Sequence, residues 1–242
     1  MKYIIEIATT DFTTTKSAVE GGADRIELCS ALSEGGITPS YGLIKQCRKA
    51  FDIPLFPIIR PRAGDFLYTD EEFELMKHDV LLAKQSGCEG AVIGLLTKHG
   101  NIDLERTAAL IEMAYPLEVT FHRAFDRCKD PFKTLEELIE IGCQRILTSG
   151  QKQTAPEGVD LIAELIKKAD DRIIIMPGSG VRKDNIKMIA DKTGALEFHS
   201  SVKGQKNSAM EFIHPSFNET KNAAIDPEEV KALRSALNDI IV

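Results

Sequence analysis

The sequence predicts an α/β fold, a parallel (β/α)8 barrel of the TIM type, on three observations. Eight short apolar runs recur at intervals of about 23 to 35 residues, and a helical pattern follows every run but the last. The runs are rich in Ile, Val and Leu and are too short for helices, which is typical of buried parallel strands. The length of 242 residues is close to the roughly 250 of this fold. The predicted strands are residues 3–8, 25–30, 55–60, 91–94, 118–123, 145–150, 172–177 and 197–200.

The connections between helices and strands favour the same architecture. Asp11 precedes the first predicted helix, and Gly21 ends it. The segments that begin at Gly87, Gly142 and Gly194 have the same form, because a glycine ends a helix and an apolar strand follows at once. In such a barrel the functional residues lie at the C-terminal ends of the strands.

The tail after the eighth strand, residues 205–242, differs from the repeating units. It is polar and irregular as far as Asn222, and a last helix begins at Asp226-Pro227. We expect this helix to be the eighth of the barrel, and the loop before it to cover an edge or a partner subunit. Residues 1–242 then form one domain, with the strands and most helices in residues 1–204. The apolar positions of the last helix are Val230, Leu233, Leu237, Ile240 and Ile241.

Composition and charge exclude several classes of partner. The net charge of −7 and the pI near 5.4, with no Lys/Arg block, argue against a nucleic-acid partner. No apolar stretch approaches the roughly 18 residues that span a bilayer, and the N-terminus enters a strand without a leader. We therefore expect a cytoplasmic protein with no membrane partner. Five scattered cysteines predict free thiols rather than disulfides.

Strand alternation predicts which polar side chains enter the barrel. On the second strand Ile26 and Leu28 must face the helices, so Glu27 and Cys29 face inward. The same rule applied to the other strands gives the rest of the set. The predicted mouth holds Glu6, Glu27, Cys29, Arg60, His122, Glu197 and His199, with Arg123 and Asp126 at its rim.

Two interpretations of these buried ionisable groups stay open. In the first they form an active site, in which Glu27 or His122 is the general acid or base and Arg60 orients the substrate. In the second they are a structural ion network, because buried charges need partners. That network would pair Glu6, Glu27 and Glu197 with Arg25, Arg60 and Arg123.

The loop after the seventh strand is a candidate anion site. Gly178, Ser179 and Gly180 precede a helix, and glycine backbone N–H groups at such a place commonly bind phosphate. The alternative is that these glycines only permit a tight turn. Guanidinium groups also bind carboxylate or phosphate through two parallel hydrogen bonds. The predicted anion-binding residues are Arg60, Arg62, Arg123, Ser149, Gly178, Ser179, Gly180 and Ser200.

A metal site is harder to find, since the sequence has no Cys-x-x-Cys and no His-x-x-x-His. The cysteines and histidines nearest the predicted mouth are the best available ligands, and they suit Cu(I) or Zn(II). That set is Cys29, Cys128, His122 and His199. Cys47, Cys88 and Cys143 are expected to act as small apolar residues.

Several blocks closely resemble the CutC copper homeostasis protein family over about residues 1 to 204. They are residues 25–40 (RIELCSALSEGGITPS), 57–66 (PIIRPRAGDF), 120–126 (TFHRAFD), 147–151 (LTSGQ) and 199–201 (HSS). The resemblance implies a cytoplasmic TIM barrel, often a homo-oligomer, that binds Cu(I) through cysteines. The Glu27-Leu28-Cys29 motif makes Cys29 the leading candidate, and Cys47 is similar in position to a second cysteine of some relatives.

Two functions follow from these observations. The resemblance implies copper homeostasis, with direct Cu(I) binding. The residues themselves favour an uncharacterised enzyme that acts by acid–base chemistry on a small anionic substrate, phosphorylated or carboxylated. A third and weaker interpretation is a barrel without catalysis whose assembly is its function, and the fold alone does not choose among the three.

Overall fold

A computed structural model of the chain describes residues 3–216 and 220–238. Within these residues eight parallel strands form the barrel. They are β1 (Ile4–Thr9), β2 (Arg25–Leu28), β3 (Leu55–Pro57), β4 (Gly90–Ile93), β5 (Glu118–Phe121), β6 (Arg145–Thr148), β7 (Ile174–Pro177) and β8 (Glu197–Ser200).

The strands are arranged as the (β/α)8 prediction requires. One arc has the order β3-β2-β1-β8, and the other has the order β4-β5-β6-β7. A parallel bridge between Ile58 and Val92 joins β3 to β4, and β7 lies beside β8. The predicted TIM-barrel fold is confirmed. The third strand ends three residues earlier than predicted, and beyond it the Arg60 N–H donates to Thr38 Oγ1 instead of a strand neighbour.

Seven helices follow the first seven strands and cover the outside of the barrel. They are α1 (Phe12–Glu20), α2 (Tyr41–Ala50), α3 (Asp70–Gln85), α4 (Leu104–Ala114), α5 (Pro131–Glu140), α6 (Val159–Ala169) and α7 (Ile186–Thr193). Their starts follow ordinary capping rules, as where Asp11 accepts from the Thr14 N–H and Thr69 accepts from the Glu72 N–H.

The last helix, α8 (Pro227–Asn238), occupies the eighth helical position, between α7 and α1. It buries Val230, Leu233 and Leu237, as predicted, whereas Ile240 and Ile241 lie outside the described residues.

The segment before this helix was predicted to be irregular, and this is wrong in part. Strands β9 (Gly204–Asn207) and β10 (Lys221–Ala224) pair in antiparallel fashion. All of β9 and most of β10 are exposed and polar, so no apolar alternation marks them in the sequence.

The core lies between the strands and the helices. Ile5, Ile7, Ile26 and Leu28 point outward into this layer and are fully buried, as alternation predicts. The five cysteines are buried free thiols. Among the described residues, no helix has the length and apolar character needed to cross a bilayer.

Candidate functional site at the barrel mouth

Buried charged groups extend from the N-terminal end of the barrel toward its mouth. Glu197, at the start of β8, accepts hydrogen bonds of 2.6 Å from both Arg25 and Arg145. Arg25 also donates to Glu6 at 2.5 Å. Positive and negative groups therefore alternate along these four side chains, and each of them has an opposite partner.

The ion network that the sequence suggested exists, but with different members. Arg25 pairs with Glu6 as expected, but it also pairs with Glu197, and Arg60 and Arg123 take no part in the network. Arg145 takes their place, and the sequence reasoning missed it. Ile146 faces the helices, so the alternation rule, applied to β6, would have placed Arg145 inside.

A cluster of two carboxyl groups and an imidazole continues this chain at the mouth. Glu6 Oε1 lies 2.7 Å from His199 Nδ1, and His199 Nε2 lies 3.7 Å from Glu27 Oε2. The strand register pairs Glu6 with His199, which brings these side chains together. The Glu27 side chain makes no hydrogen bond to the part of the chain that the structure describes.

The environment of this cluster changes its proton affinities. Burial raises the pKa of Glu27 to about 7, although His199 and Arg25 act in the opposite direction. Burial alone would lower the pKa of His199, but Glu27 and Glu6 outweigh it and raise that pKa. Burial alone would raise the pKa of Glu6, but Arg25 and His199 hold it well below its usual range. Glu27 therefore exchanges its proton near neutral pH, as a general acid or base must.

A cavity of about 890 Å³ lies at the C-terminal ends of the strands. Glu27, Arg60, His122, Arg123 and His199 line it, so most of the predicted mouth faces one space. Its volume falls within the roughly 300–1,000 Å³ of small-molecule sites.

His122 and Arg60 occupy one part of this wall. The His122 Nδ1 accepts from the Ala124 N–H at 3.0 Å, so its proton lies on Nε2. Burial, and then Arg60, lowers the pKa of His122 to about 3. A neutral imidazole with this pKa is a hydrogen-bond donor at physiological pH, which favours that role over the predicted general base.

The loop after β7 presents free backbone donors. Ser179 and Gly180 have positive φ angles of 73° and 71°. No acceptor among the described residues meets the N–H groups of Ser179, Gly180 and Val181. The Ser200 hydroxyl donates to the Val181 carbonyl at 2.8 Å and so holds the loop in place. Ser179 and Gly180 line the cavity, as the predicted anion site requires.

Other predicted anion-binding groups are already engaged. Arg62 does not line the cavity, and it pairs with Glu72 at 2.5 Å and Asp65 at 3.0 Å. The Ser149 hydroxyl is bonded to Asp126 and to the Lys152 carbonyl.

Gly178 and Arg123 are the last two predicted anion-binding residues, and the structure gives them different roles. The Gly178 N–H donates to a β6 carbonyl, and a Cβ at Gly178 would lie 2.3 Å from Leu147 Cδ1, so this glycine permits close packing. Arg123 faces the cavity while paired with Asp126 at 2.7 Å.

The predicted cysteine ligands are not members of the cluster formed by Glu6, Glu27 and His199. Cys29 is buried against Phe56, Ile58 and Val92, and its thiol donates to the Thr9 carbonyl at 3.4 Å. Burial and Glu27 raise the pKa of this thiol far above its usual range. Cys128 Sγ accepts from Gln151 at 3.6 Å, and burial raises its pKa as well.

The metal-ligand set that the structure brings together differs from the predicted one. Among the described residues, Glu6, Glu27 and His199 are the one group of three donors whose atoms lie within 4.8 Å of one another. Only His199 belongs to the predicted set of Cys29, Cys128, His122 and His199. Carboxylate and imidazole groups suit Zn(II), Cu(II) or Mn(II) better than Cu(I).

The fold places this chain among the TIM-barrel proteins, and its polar cavity lies at the C-terminal ends of the strands, where such barrels carry their functional residues. The model of the CutC family matches residues 3–204. The chain therefore belongs to the CutC family.

Individual relatives agree with this assignment. A CutC protein of Parabacteroides distasonis is 50% identical over 241 residues, 96% of this chain and 99% of that protein. The human copper homeostasis protein cutC homolog is 43% identical over 248 aligned residues, 99% of this chain and 91% of the human protein. The crystal structure of a Streptococcus agalactiae CutC protein, 33% identical, matches with a TM-score of 0.79 over 82% of this chain and 98% of its own.

Proposed function

We propose that this chain binds a small anionic metabolite at the barrel mouth and catalyses proton transfer on it, with Glu27 and His199 as the acid–base couple. The observation that carries the proposal is Glu27, a buried carboxyl group that faces the cavity. It makes no hydrogen bond to the described residues, and burial raises its pKa to about 7. A structural carboxylate would instead be held by an arginine, as Glu6 and Glu197 are.

The neighbours of Glu27 support an acid–base role. Glu6 fixes the orientation of His199 through Nδ1, which leaves Nε2 directed toward Glu27 at 3.7 Å. Because its pKa is raised, His199 holds a proton that it can donate, while Glu27 in its carboxylate form takes one from the substrate. This arrangement of a base oriented by a second carboxylate is common in acid–base enzymes.

The charge of the cavity wall supports an anionic substrate. The protein has a net charge of −7, yet this wall carries six Lys and Arg side chains against five carboxyl groups. The free N–H groups of Ser179, Gly180 and Val181 add donors that suit a phosphate or a carboxylate.

The test combines binding with turnover. Anionic metabolites, phosphorylated and carboxylated, are screened for a rise in Tm by mass action, and those that bind are incubated with the protein and followed by mass spectrometry. Glu27→Gln is expected to keep the binding and lose the conversion. Glu34→Gln, which changes an exposed carboxyl on the same cavity, is the matched control and is expected to behave as wild type. Absence of both binding and conversion across the panel would reject the proposal.

Copper homeostasis is the second candidate, and family membership favours it. Direct Cu(I) binding would use Cys29, with Cys128, His122 and His199 as further ligands. This set requires rearrangement, because Cys29 is a buried thiol bonded to the Thr9 carbonyl. A reducing, cytoplasmic location suits both Cu(I) and the five free thiols. The homo-oligomer implied by the family stays a prediction, which light scattering would check.

A Cu(I) titration of the reduced protein against a competing chelator tests this candidate. If Cys29 is a ligand, Cys29→Ala loses one equivalent of tight binding. Cys143→Ala, which removes a buried thiol two residues before β6, keeps it. Equal binding in the two variants would reject Cys29 as a copper ligand.

A further inference from the structure

We infer that Arg60 and His122 form a carboxylate-binding subsite on the wall of the mouth cavity, so that the substrate of this protein carries a carboxylate group. The inference rests on the proposed function, and it narrows the anionic substrate to one chemical class.

The first observation is a cluster of polar atoms without partners. Within the described residues, three buried side-chain atoms have no hydrogen-bond partner: Arg60 Nε, His122 Nε2 and Tyr68 Oη. The Arg60 guanidinium lies 5.1 Å from the centre of the Phe66 ring, and the His122 ring centre lies 4.9 Å from it. An unsatisfied buried donor costs about 1–3 kcal/mol, so two such donors on one cavity wall indicate a missing acceptor.

The second observation is the charge of Arg60. Its Nη1 donates to the carbonyls of Glu34 and Gly36, and its Nη2 donates to the carbonyl of Gly64, each at 2.8 Å. No carboxylate of the described residues lies within salt-bridge distance, although Arg60 is only 4% exposed. A buried guanidinium without a counter-charge favours an anionic ligand.

The free donors of Arg60 fit the shape of a carboxylate. Three of its five hydrogens are bonded to carbonyls, which leaves the Nε–H and one hydrogen of Nη2. The neutral Tyr68 hydroxyl lies within reach of the guanidinium but supplies no counter-charge. Nε and Nη2 share one edge of the guanidinium, and such an edge binds a carboxylate through two parallel hydrogen bonds.

His122 supplies a fixed neutral donor next to this edge. Its Nδ1 is occupied by the Ala124 N–H, so the Nε2–H is the group left for a ligand. The ring fits here because residue 94 is a glycine, whose Cβ would lie 2.3 Å from His122 Cε1. Burial keeps the imidazole uncharged, so the subsite has a net charge of +1, which the Arg60 guanidinium carries.

This charge favours a carboxylate over a phosphate. One guanidinium and one neutral donor balance a planar monoanion, whereas a phosphate dianion would keep an uncompensated charge in a buried place. The free N–H groups of the Ser179 loop lie elsewhere on the cavity and are the better phosphate donors.

The test uses acetate, malonate and inorganic phosphate as probes, with ionic strength held constant by sodium chloride. Binding is followed by the side-chain N–H signals of Arg60 and His122 in ¹H–¹⁵N NMR spectra. We expect acetate and malonate to shift both signals. Arg60→Lys keeps the charge but loses the guanidinium edge, and we expect it to weaken carboxylate binding at least about tenfold. His122→Asn keeps an acceptor for the Ala124 N–H but removes the Nε2 donor, and we expect a loss of about tenfold or more.

Arg62→Lys is the matched control, because Arg62 neighbours Arg60 in the chain but does not line the cavity. It should leave carboxylate affinity unchanged. Phosphate binding that persists in Arg60→Lys and His122→Asn, without any carboxylate binding, would overturn the subsite and leave the proposed function standing. Failure of all three probes and of the wider metabolite panel would overturn both.

Discussion

Glu197→Gln is the sharpest test of the buried charges inside the barrel. The substitution keeps the size of the side chain but removes the negative charge that faces Arg25 and Arg145 at 2.6 Å each. Two buried guanidinium groups then have Glu6 as their remaining buried counter-charge. Breaking one partner out of a buried pair costs about 3–5 kcal/mol. At about 2 °C per kcal/mol for a chain of this length, Tm falls by about 6–10 °C.

Glu118→Gln is the matched control, because Glu118 pairs with the same Arg145 at 3.0 Å but is 53% exposed. Solvent screens this pair, so its loss costs below about 1 kcal/mol. The free energy of unfolding is measured by urea titration and Tm by calorimetry, for wild type and both variants. The difference between the two glutamates isolates the effect of burial, since the arginine is shared.

The reasoning would be refuted if Glu197→Gln lost no more stability than Glu118→Gln. Water or a shift of Arg145 would then be compensating the lost charge, and the alternation of charges would not be what stabilises the interior.

Three further predictions concern individual groups. Between pH 4.5 and about 7 the folded protein retains a proton on Glu27 that the unfolded chain has released, so the free energy of unfolding falls as pH rises through this window. Glu27→Gln is expected to remove that part of the slope in urea titrations at each pH, and an unchanged slope would contradict the raised pKa. His122 should titrate with a pKa of about 3 in ¹⁵N NMR spectra, whereas a value near 6.5 would mean that its ring is hydrated. All five thiols are buried, so a thiol reagent at about pH 8 should react slowly with the folded protein and rapidly in urea. Fast reaction in folded wild type that Cys29→Ala abolishes would show that Cys29 is accessible.

The barrel could be predicted because its determinants are local and repeated. Each strand is a short apolar run, and four of the αβ connections are marked by a glycine, as at Gly87, Gly142 and Gly194. The hairpin formed by β9 and β10 could not, because its exposed polar strands carry no periodic pattern. The end of β3 was missed because Arg60 looks like the next inward residue, while its N–H bonds to a neighbouring loop.

The sequence could predict which residues form the candidate site, but it could not predict which of them pair with one another. Alternation placed Glu6, Glu27, Arg60, His122 and His199 inside the barrel, and the structure buries all of them. Which charges pair depends on strand register and on distances of a few ångströms, and no sequence period encodes those.

Arg62 and His122 have roles that differ from the predicted ones, because their roles depend on contacts that only the folded chain creates. Arg62, two positions after Arg60, pairs with Glu72 of α3 instead of facing the cavity. Tautomer and protonation follow from contacts that only folding creates, as the bond between Ala124 and His122 illustrates.

The buried charges also connect the two ends of the barrel. Arg25 and Arg145 balance Glu6 and Glu197, and the proton affinity of Glu27 is set by burial first and then by the charges of His199, Glu6 and Arg25. Glu197→Gln frees one positive charge beside Glu27 and should lower the pKa of Glu27, measured by ¹³C NMR of its carboxyl carbon. Glu118→Gln should leave that titration unchanged, because the exposed carboxylate is screened. A Glu27 pKa that is the same in wild type and Glu197→Gln would mean that the interior charges stabilise the barrel without tuning its mouth. A lowered pKa would mean that one ion network serves both purposes, and that the structural and functional interpretations of these residues are compatible.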